Sequence, residues 1–385
     1  MSSSVSPQPA LTLRELLERY TQPAARELAH SEDGSIRCAA CGHRCLIRPG
    51  RAGICRVRFN RDGTLMVPWG YVASVQCDPI EKKPFFHVLP GRDAFTFGML
   101  GCDYHCPYCQ NWVTSQALRD PRAIAPPRFC TAEELAELAV HYGAGAVVSS
   151  YNEPLITSEW AVEVFRQARA RKSFVCGYVS NGNATREVLE YLRPHAEIYK
   201  IDLKGFDDKK YRQLGGVLKN VLRTIEMVKE MGFWTEIVTL VVPGFNDSEQ
   251  ELRAIARFID GVSKEIPWHV TAFHPDYKMN QDNGYTHRTP AETLIRACQI
   301  GKEEGLWFVY AGNLPGQVGD WEHTFCPFCD VVLIKRYGFY VMLNAMEGNC
   351  CYNCKKEIPG VWEADPPRQS MGHGFPRPVR LPRDR

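Results

Sequence analysis

Three cysteines in the segment GMLGCDYHCPYCQNW are the residues of this chain best suited to carry out chemistry. Cys102, Cys106 and Cys109 have the spacing C-x3-C-x2-C. Their thiolates could hold three irons of a [4Fe–4S] cluster, whose complete ligand set is ordinarily four cysteines. The remaining iron would be open to a small molecule, much as a catalytic zinc keeps one position open. The segment therefore predicts an iron–sulfur site that binds a ligand.

Two other metal sites are compatible with the same cysteines. A zinc ion could recruit His105, but His105 is adjacent to Cys106, and neighbouring residues rarely both reach one tetrahedral ion. A closed cluster would need a remote fourth thiolate, for which Cys130 is a candidate. The apolar, β-prone run 95–100 precedes the cysteines and predicts a buried site at the end of a strand. This context favours the open cluster.

A complete set of four cysteines lies before this segment, at Cys38, Cys41, Cys45 and Cys55. Zinc would make the set a structural knuckle, whereas a second iron–sulfur cluster would make it an electron relay or a substrate anchor. We favour zinc slightly, and the sequence leaves both open. Six arginines accompany the set: Arg44, Arg48, Arg51, Arg56, Arg58 and Arg61. Docking of an acidic partner or a nucleic acid is one interpretation, but few aromatic residues are interleaved, and we favour a solvated basic face.

A second complete set lies near the end of the chain, at Cys326, Cys329, Cys351 and Cys354. Two C-x2-C pairs flank the β-prone stretch 331–343, which is typical of a zinc ribbon. We predict structural zinc there, because so short a segment lacks the core to fold alone. Cys350 competes with Cys351, and the spacing to Cys354 favours Cys351. We predict that Cys130, Cys176 and Cys298 are buried apolar residues rather than ligands.

The elements between residues 94 and 315 must position the open site. Short β-prone runs alternate there with helical stretches, at 95–100, 146–150, 174–180, 197–203, 234–242, 269–274 and 307–310. Thr131 with Glu134 predicts a capping box, and Thr289-Pro290 with Glu292 predicts a second helix start. Such alternation predicts an α/β fold with a parallel sheet. We expect a full or partial (β/α) barrel, with a doubly wound sheet as the alternative.

Polar, turn-forming loops follow the predicted strands. They contain Asn152-Glu153, Ser180-Asn181, Asp202-Leu203-Lys204 and the segment 274–279. Each loop alone could be an ordinary turn or a solvated charge. Because catalytic residues of barrels come from the carboxyl ends of several strands, their recurrence at one rim predicts a shared site with Cys102.

The chain resembles the radical S-adenosylmethionine (radical SAM) superfamily, through GCDYHCPYCQNW and the loops that follow it. It is similar to the subgroup of glycyl-radical-enzyme activases, such as the pyruvate formate-lyase activating enzyme. Four segments more closely resemble the radical SAM member of the AmmeMemoRadiSam system: CAACGHRCLIRPGRAGIC, CDPIEKKPFFHVLPG, GCDYHCPYCQNW and YNEP. The ending GNLPG…CPFC…CYNC…IPGVW supports this resemblance, which covers residues 36–363.

The resemblance implies that an open iron binds S-adenosylmethionine (SAM). Reductive cleavage of SAM would give methionine and a 5′-deoxyadenosyl radical that abstracts hydrogen from a substrate. Asn152 and Glu153 would lie near the methionine amino group, Ser180 and Asn181 near the ribose and carboxylate, and Asp202 and Lys204 near the methionine end. Activases commonly carry an Asp of a cation site where this chain has Val179, which puts cation binding and a strict activase assignment in doubt.

The resemblance also implies partners. A flavodoxin- or ferredoxin-type protein would supply electrons, and a protein substrate or Memo-like and AMMECR-type proteins could bind. Glycyl-radical-enzyme activation is the alternative activity. A zinc-dependent scaffold or nucleic-acid-binding module, with all cysteine groups structural, is the alternative of another class.

Composition sets the remaining expectations. The 385 residues are 44% hydrophobic and 23% charged with a net charge of +2, which is ordinary for a globular protein and implies no polyanion or membrane partner. No secretion signal or membrane span is evident, and cysteines in metal-like clusters indicate a reducing compartment, so we expect a cytoplasmic protein. We predict an N-terminal tail and helix (1–30, helical over 11–29), an N-terminal module (31–93), a core (94–315), a C-terminal module (320–364) and a disordered tail (365–385).

Overall fold

The computed structural model describes residues 12–284, 287–372 and 374–382. The predicted N-terminal tail, residues 1–10, lies outside these ranges. The α-helices are α1 Leu13–Glu18, α2 Trp112–Ser115, α3 Ala132–His141, α4 Ser158–Arg169, α5 Arg186–Leu192, α6 Asp208–Gln213, α7 Leu218–Glu230, α8 Glu249–Val262 and α9 Ala291–Glu303. The strands are β1 Thr21–Pro23, β2 Ala29–Glu32, β3 Ser35–Cys38, β4 Leu46–Ile47, β5 Phe59–Arg61, β6 Thr64–Pro68, β7 Tyr71–Val72, β8 Ser74–Pro79, β9 Asp93–Gly98, β10 Arg128–Phe129, β11 Ala146–Ser149, β12 Val175–Ser180, β13 Ile198–Asp202, β14 Trp234–Val241, β15 Trp268–Ala272, β16 Val309–Gly312, β17 Thr324–Phe325, β18 Val332–Tyr337, β19 Tyr340–Asn344 and β20 Arg377–Pro378.

A nine-stranded mixed sheet organises the molecule, in the order β16-β15-β14-β13-β12-β11-β9-β8-β20. The strands from β9 to β16 in this order are parallel to one another, whereas β8 and β20 are antiparallel additions at one edge. The predicted α/β fold with a parallel sheet is confirmed. The parallel strands follow each other in chain order, whereas a doubly wound sheet reverses its order. The alternative of a doubly wound sheet is therefore wrong.

The two faces of the sheet carry different residues because side chains alternate along each strand. Tyr178, Tyr199 and Ile237 lie on the face that packs against helices in the main core. Lys200 and Asp202 of β13 point to the other face, and the register places Asp202 beside Val238 of β14. Lys200 and Asp202 therefore lie on the face turned away from the helices.

Local sequence signals account for several helix ends. Thr131 and Glu134 form the predicted capping box of α3, in which each side chain bonds the other residue's backbone N–H. The second predicted start differs, because Pro290 is the N-cap of α9 and no side chain caps it. Thr289 instead donates its hydroxyl to the carbonyl of Val241, 2.6 Å away, and so serves the sheet.

The N-terminal part departs from the predicted helix over 11–29. Among the described residues, helix α1 covers only Leu13–Glu18, and β1 follows at Thr21–Pro23. Pro23 cannot donate a backbone hydrogen bond within a helix, and β1 pairs with β6 instead. Tertiary pairing thus overrides the helix-forming composition of this segment.

The C-terminal module contains the predicted β-prone stretch as a hairpin of β18 and β19, joined by β17. The predicted disordered tail differs over its described part: β20 at Arg377–Pro378 pairs with β8, and Val379 and Leu381 are buried. Arg377 also bonds a carboxylate oxygen of Asp93 at 2.6 Å. The Pro- and Arg-rich composition does not predict these contacts, because they depend on the edge strand of a sheet formed by residues far away in the sequence.

The helices in the described part of the chain are all too short or too polar to cross a membrane.

Candidate functional site: a cysteine loop at the carboxyl end of a parallel sheet

The cysteine loop begins directly after β9 and is held closely by two glycines that follow α6. A Cβ atom on Gly216 would lie 2.4 Å from Cζ of Tyr104, so only glycine permits this approach. The backbone N–H of His105 donates to the carbonyl of Leu214 at 2.9 Å. The His105 side chain is exposed and packs against Gly215, which separates it from the buried sulfur positions. These contacts fix the shape of the loop. The exposed His105 side chain is directed away from the cysteines and is not placed as a metal ligand.

The three thiols of the loop lie in a buried environment that disfavours free thiolates. Burial raises the pKa of Cys106 to about 12 and raises the pKa of Cys102 and Cys109, so a bound metal cation is needed to keep the thiolates. Within the described residues, the three sulfurs are not among the ligand groups that lie within 4.8 Å of one another.

A cavity of about 330 Å³ opens beside this loop, on the face of the sheet turned away from the helices. It lies within the range of small-molecule sites. Its lining combines the loop, the carboxyl ends of the parallel strands and two outer segments: Lys82, Lys83, Pro84, Cys106, Tyr108, Cys109, Gln110, Asn111, Ser150, Tyr151, Val179, Lys200, Asp202, Lys204, Val238, Leu240, Thr271, Asn313 and Phe339. The structure therefore brings Cys106, Cys109, Asp202 and Lys204 to one cavity, whereas Cys102 is not among its lining residues.

Asp202 is the acidic centre of a charge cluster in this cavity. Lys200 contacts one of its carboxylate oxygens, and the Lys204 ammonium lies 3.1 Å from the other. Burial opposes ionisation of Asp202, but the two lysines outweigh it and hold its pKa at about 2. Asp202 also raises the pKa of Lys204 against the effect of burial. Asp202 and Lys204 are therefore both charged at neutral pH.

A second charged group in the cavity is absent from the predicted site residues. The Lys83 ammonium contacts the buried carboxylate of Asp78 and lies 2.9 Å from the hydroxyl of Tyr151. Tyr151 in turn donates to Asp78 at 2.7 Å, from a backbone with φ of 68°. The sequence signal was the doubled lysine in the CDPIEKKPFFH segment, but only the pairing of β8 with β9 places it beside the cysteine loop.

The remaining predicted cofactor residues form a buried network next to the cavity. Glu153 accepts hydrogen bonds from the Ser180 hydroxyl and the Asn181 backbone N–H, both at 2.7 Å. Burial and the charge of Asp103 raise the pKa of Glu153. The Asn152 carboxamide accepts from the Met99 backbone N–H at 3.1 Å. The described lining of the cavity includes none of these four residues, so the structure groups them with each other rather than with Asp202.

Asp103 joins this network to the N-terminal module and was missed from the sequence. Its buried carboxylate accepts from the carboxamides of Asn181 and Asn183 at 2.7 and 2.8 Å, and Nε2 of His43 lies 3.7 Å away. The available signal was its position next to Cys102. An acidic residue beside a predicted metal ligand resembles an exposed loop residue until the fold shows what surrounds it.

The C-terminal cysteines form a compact group. The ligand atoms of Cys326, Cys329, Cys351 and Cys354 all lie within 4.8 Å of one another. Two sulfur pairs lie 3.6 and 3.7 Å apart, close to the edge of about 3.8 Å that follows from tetrahedral Zn–S bonds of about 2.3 Å. The group can hold a metal such as zinc.

The N-terminal module differs from the predicted solvated basic face at one arginine. The Arg58 side chain is 1% exposed and forms a bidentate pair with Glu159 at 2.7 and 2.8 Å. The prediction is wrong for Arg58, because a buried carboxylate on α4 needs its charge. Arg44, Arg48, Arg51 and Arg56 are exposed as expected.

The three isolated cysteines, Cys130, Cys176 and Cys298, are buried, as predicted. Cys130 lines a different cavity from Cys106.

Comparisons with known proteins show which family this chain resembles. Residues 97–259, which contain the cysteine loop, Glu153 and Asp202, match the model of the radical SAM superfamily. The uncharacterized protein MJ0808 of Methanocaldococcus jannaschii is 37% identical over 331 residues, covering 85% of this chain and 96% of that protein. The pyruvate formate-lyase-activating enzyme of Staphylococcus epidermidis is 23% identical over 189 residues, which is 45% of this chain and 72% of that enzyme.

A solved domain of the pyruvate-formate lyase-activating enzyme from Bacteroides vulgatus aligns with a TM-score of 0.37 and 18% identity, over 44% of this chain and 100% of that domain. The range 97–259 matched by the radical SAM model includes all three cysteines of the loop and the strand ends that surround them. The chain belongs to the radical SAM superfamily and is homologous to pyruvate formate-lyase activating enzymes.

Proposed function

We propose that the protein is an enzyme that reductively cleaves SAM at a [4Fe–4S] cluster held by Cys102, Cys106 and Cys109. When bound, the cluster and SAM supply an electron and a 5′-deoxyadenosyl radical that abstracts hydrogen from a substrate. The observation that supports the proposal best is the position of Cys106 and Cys109 on one cavity with Asp202 and Lys204. A partial (β/α) barrel of radical SAM type is the architecture we infer from the chain-ordered parallel strands.

The residues of the cavity suit this chemistry in distinct ways. Lys204 lies near enough to Cys106 to lower its pKa against the effect of burial, so it favours the thiolate that an iron requires. The Asp202 carboxylate could accept hydrogen bonds from the ammonium of the methionine moiety. Because Lys200 and Lys204 already fix its position, binding would cost little reorganisation. Asn152, Glu153, Ser180 and Asn181 stay proposed cofactor residues, acting through the network beside the cavity.

We infer that the substrate is modified directly within the cavity rather than being a glycyl radical enzyme. Val179 lines the cavity where activases commonly carry an Asp of a cation site, and a valine cannot bind a cation. A flavodoxin- or ferredoxin-type donor is the proposed reductant, and Memo-like and AMMECR-type proteins of the AmmeMemoRadiSam system are proposed partners. None of the sixteen cysteines forms a disulfide, and most lie in metal-like clusters, which supports a cytoplasmic location.

A cysteine exchange tests the proposed cleavage of SAM. The Cys106→Ala variant should lose the iron of the central cluster and all formation of 5′-deoxyadenosine under anaerobic conditions with dithionite. The Cys298→Ala variant is the matched control, because Cys298 is buried in α9 among apolar residues. The control should keep both iron and product. A wild-type protein with an intact cluster but no 5′-deoxyadenosine would contradict the proposal.

A further inference from the structure

We propose that Lys82 and Lys83 bind an oxyanion group, a carboxylate or a phosphate, on the substrate that the cavity holds. This inference rests on the proposed function for the ligand being a substrate, and it goes further by naming the chemical class of that substrate. Three features of the cavity carry it: an excess of positive charge, ammonium donors that the described residues leave without an acceptor, and an apolar wall beside them.

The segment that carries Lys82 and Lys83 brings more positive charge to the cavity than the protein neutralises. Both ammoniums contact the carboxylate of Asp78, which is fully buried. Burial lowers the pKa of Lys83 to about 8, so its ammonium form still prevails at neutral pH. In the described part of the chain, Asp78 is the one carboxylate that forms an ion pair with either lysine. One positive charge is therefore left for a bound anion, because uncompensated buried charge is costly.

The second lysine pair of the cavity, Lys200 and Lys204, separates this charge from the cysteine loop. Burial raises the pKa of Cys106 and Lys204 opposes this increase, so the charge of Lys204 favours the thiolate. Lys200 adds to the lowering by burial of the pKa of Lys83, which makes the two lysine pairs neighbours. The charge of Lys204 thus serves the cysteine loop, whereas the charge beside Lys83 is left for another ligand.

The hydrogen-bond donors of Lys82 and Lys83 are only partly used by the protein. A lysine ammonium carries three N–H donors. Lys82 donates to the side-chain oxygens of Gln76 at 3.3 Å and Asp78 at 3.2 Å. Lys83 donates to Asp78 and, at 2.9 Å, to the hydroxyl of Tyr151. Each ammonium therefore keeps one donor without an acceptor among the described residues, and two such donors suit a group with several charged oxygens.

The two lysines lie on a segment that is fastened to the sheet. The backbone N–H groups of Phe86 and His87 donate to the Glu236 carboxylate of β14, at 2.9 and 3.0 Å. Arg336 of the C-terminal module donates to the carbonyl of Phe86 at 2.8 Å. These bonds fix the chain three residues after Lys83. An anion would therefore meet donors that are already in position, which lowers the cost of binding.

Apolar side chains line the same cavity and indicate what the rest of the ligand is. Val179 of β12 and Val238 and Leu240 of β14 come from the sheet, and Phe339 comes from the C-terminal hairpin. A site of this kind, with an apolar wall and a few fixed polar groups, is typical of small-molecule binding. We infer a small substrate that has an apolar body and an oxyanion group.

Binding of three probes of similar shape tests the oxyanion site. Phenylacetate, phenyl phosphate and the neutral phenylacetamide are titrated calorimetrically into the anaerobic full-length protein, reconstituted with iron and loaded with SAM. At least one anion should bind about tenfold more tightly than the amide, because it forms charge-assisted hydrogen bonds with the ammoniums. The tighter anion distinguishes a carboxylate from a phosphate. Binding of the amide as tightly as both anions, or binding of neither anion, would overturn the inference.

Substitutions at Lys82 locate the bound anion. Its side chain is 29% exposed, so the Lys82→Met variant should keep the fold while weakening the binding of the tighter anion about tenfold. The Lys82→Arg variant keeps the charge and should bind that anion within about threefold of the wild type. Lys335→Met is the matched control, because it removes an exposed lysine of the C-terminal module and should leave binding unchanged. Equal affinities in Lys82→Met and Lys335→Met would refute the site.

Formation of 5′-deoxyadenosine by the wild-type protein separates this inference from the proposed function. Cleavage of SAM together with no preference for the anions would overturn the inference alone. A preference for an anion without cleavage of SAM would overturn the proposed function, and with it the assignment of the bound group to a substrate.

Discussion

At the scale of single residues, the cavity is governed by two carboxylates that each contact two lysines. Asp202 is paired with Lys200 and Lys204, and Asp78 is paired with Lys82 and Lys83. Burial lowers the pKa of Lys83 to about 8, although the charge of Asp78 partly offsets it. Removing one partner from a buried pair leaves an uncompensated charge, which costs more than the pair itself contributes. The energetic importance of each lysine should therefore follow its burial.

Two adjacent lysines allow this expectation to be measured. Replacing Lys83 with Met should lower the free energy of unfolding by about 3–5 kcal/mol, because it leaves Asp78 buried without its closest cation. Lys82 contacts the same carboxylate, but its side chain is 29% exposed, so Lys82→Met should cost about 1 kcal/mol or less. Denaturant unfolding of the two variants measures the difference. Equal destabilisation would show that burial does not set the strength of these pairs.

At the scale of elements, the cysteine loop takes its shape from its neighbours rather than from its own sequence. Gly216 follows α6 and admits the Tyr104 ring, and Gly101 admits Val57 and Cys55 of the N-terminal module. On the other side, the Trp112 ring, which follows the cysteine loop, stacks on Tyr277 with 5.1 Å between centroids. The segment after β15 therefore covers that side of the cysteine loop. Metal ligands on a loop need such external supports to stay in position.

A methyl group placed at this support should disturb the cluster. Gly216→Ala would put Cβ 2.4 Å from the buried Tyr104 ring, and overpacking of this kind costs about 1–3 kcal/mol. We expect the variant to bind less iron and to unfold at a lower temperature. Gly261 near the end of α8 has open space around its Cβ position, so Gly261→Ala should retain iron and be neutral or slightly stabilising. Normal iron content in Gly216→Ala would contradict the role of the close approach.

At the scale of the whole molecule, the cavity is closed by parts of the chain far apart in sequence. Lys82–Pro84 come from the end of the N-terminal module, and Phe339 comes from the tip of the C-terminal hairpin. Arg336 of β18 is buried and donates to the carbonyl of Phe86 at 2.8 Å. Nε2 of His87 lies 2.6 Å from the hydroxyl of Tyr310, and Nδ1 lies 2.7 Å from the carbonyl oxygen of Pro359. The C-terminal module is therefore part of the site's wall.

Loss of the C-terminal metal should consequently affect the whole protein. Cys329→Ser should lower the zinc content by about one ion per chain and lower the melting temperature, because such small modules fold only with their metal. Cys350 is the matched control: it adjoins Cys351, but its thiol lies 3.3 Å from Asn349 and is outside the compact group. Cys350→Ser should keep its zinc. Loss of zinc from Cys350→Ser, with retention in Cys329→Ser, would refute the ligand set.

The sequence by itself determined what depends on local spacing and periodicity. The alternation of β-prone and helical runs predicted the parallel strands, and the C-x3-C-x2-C and C-x2-C spacings predicted the cysteine groups, because a short segment limits where its own residues can reach. Only the tertiary structure decided which residues share a site. It grouped Lys83 and Tyr151 with Asp202, buried Arg58 against Glu159, and placed Cys55 against Gly101. These contacts join residues separated by about 50 to 120 positions, and their partners depend on sheet pairing and burial, which no local pattern encodes.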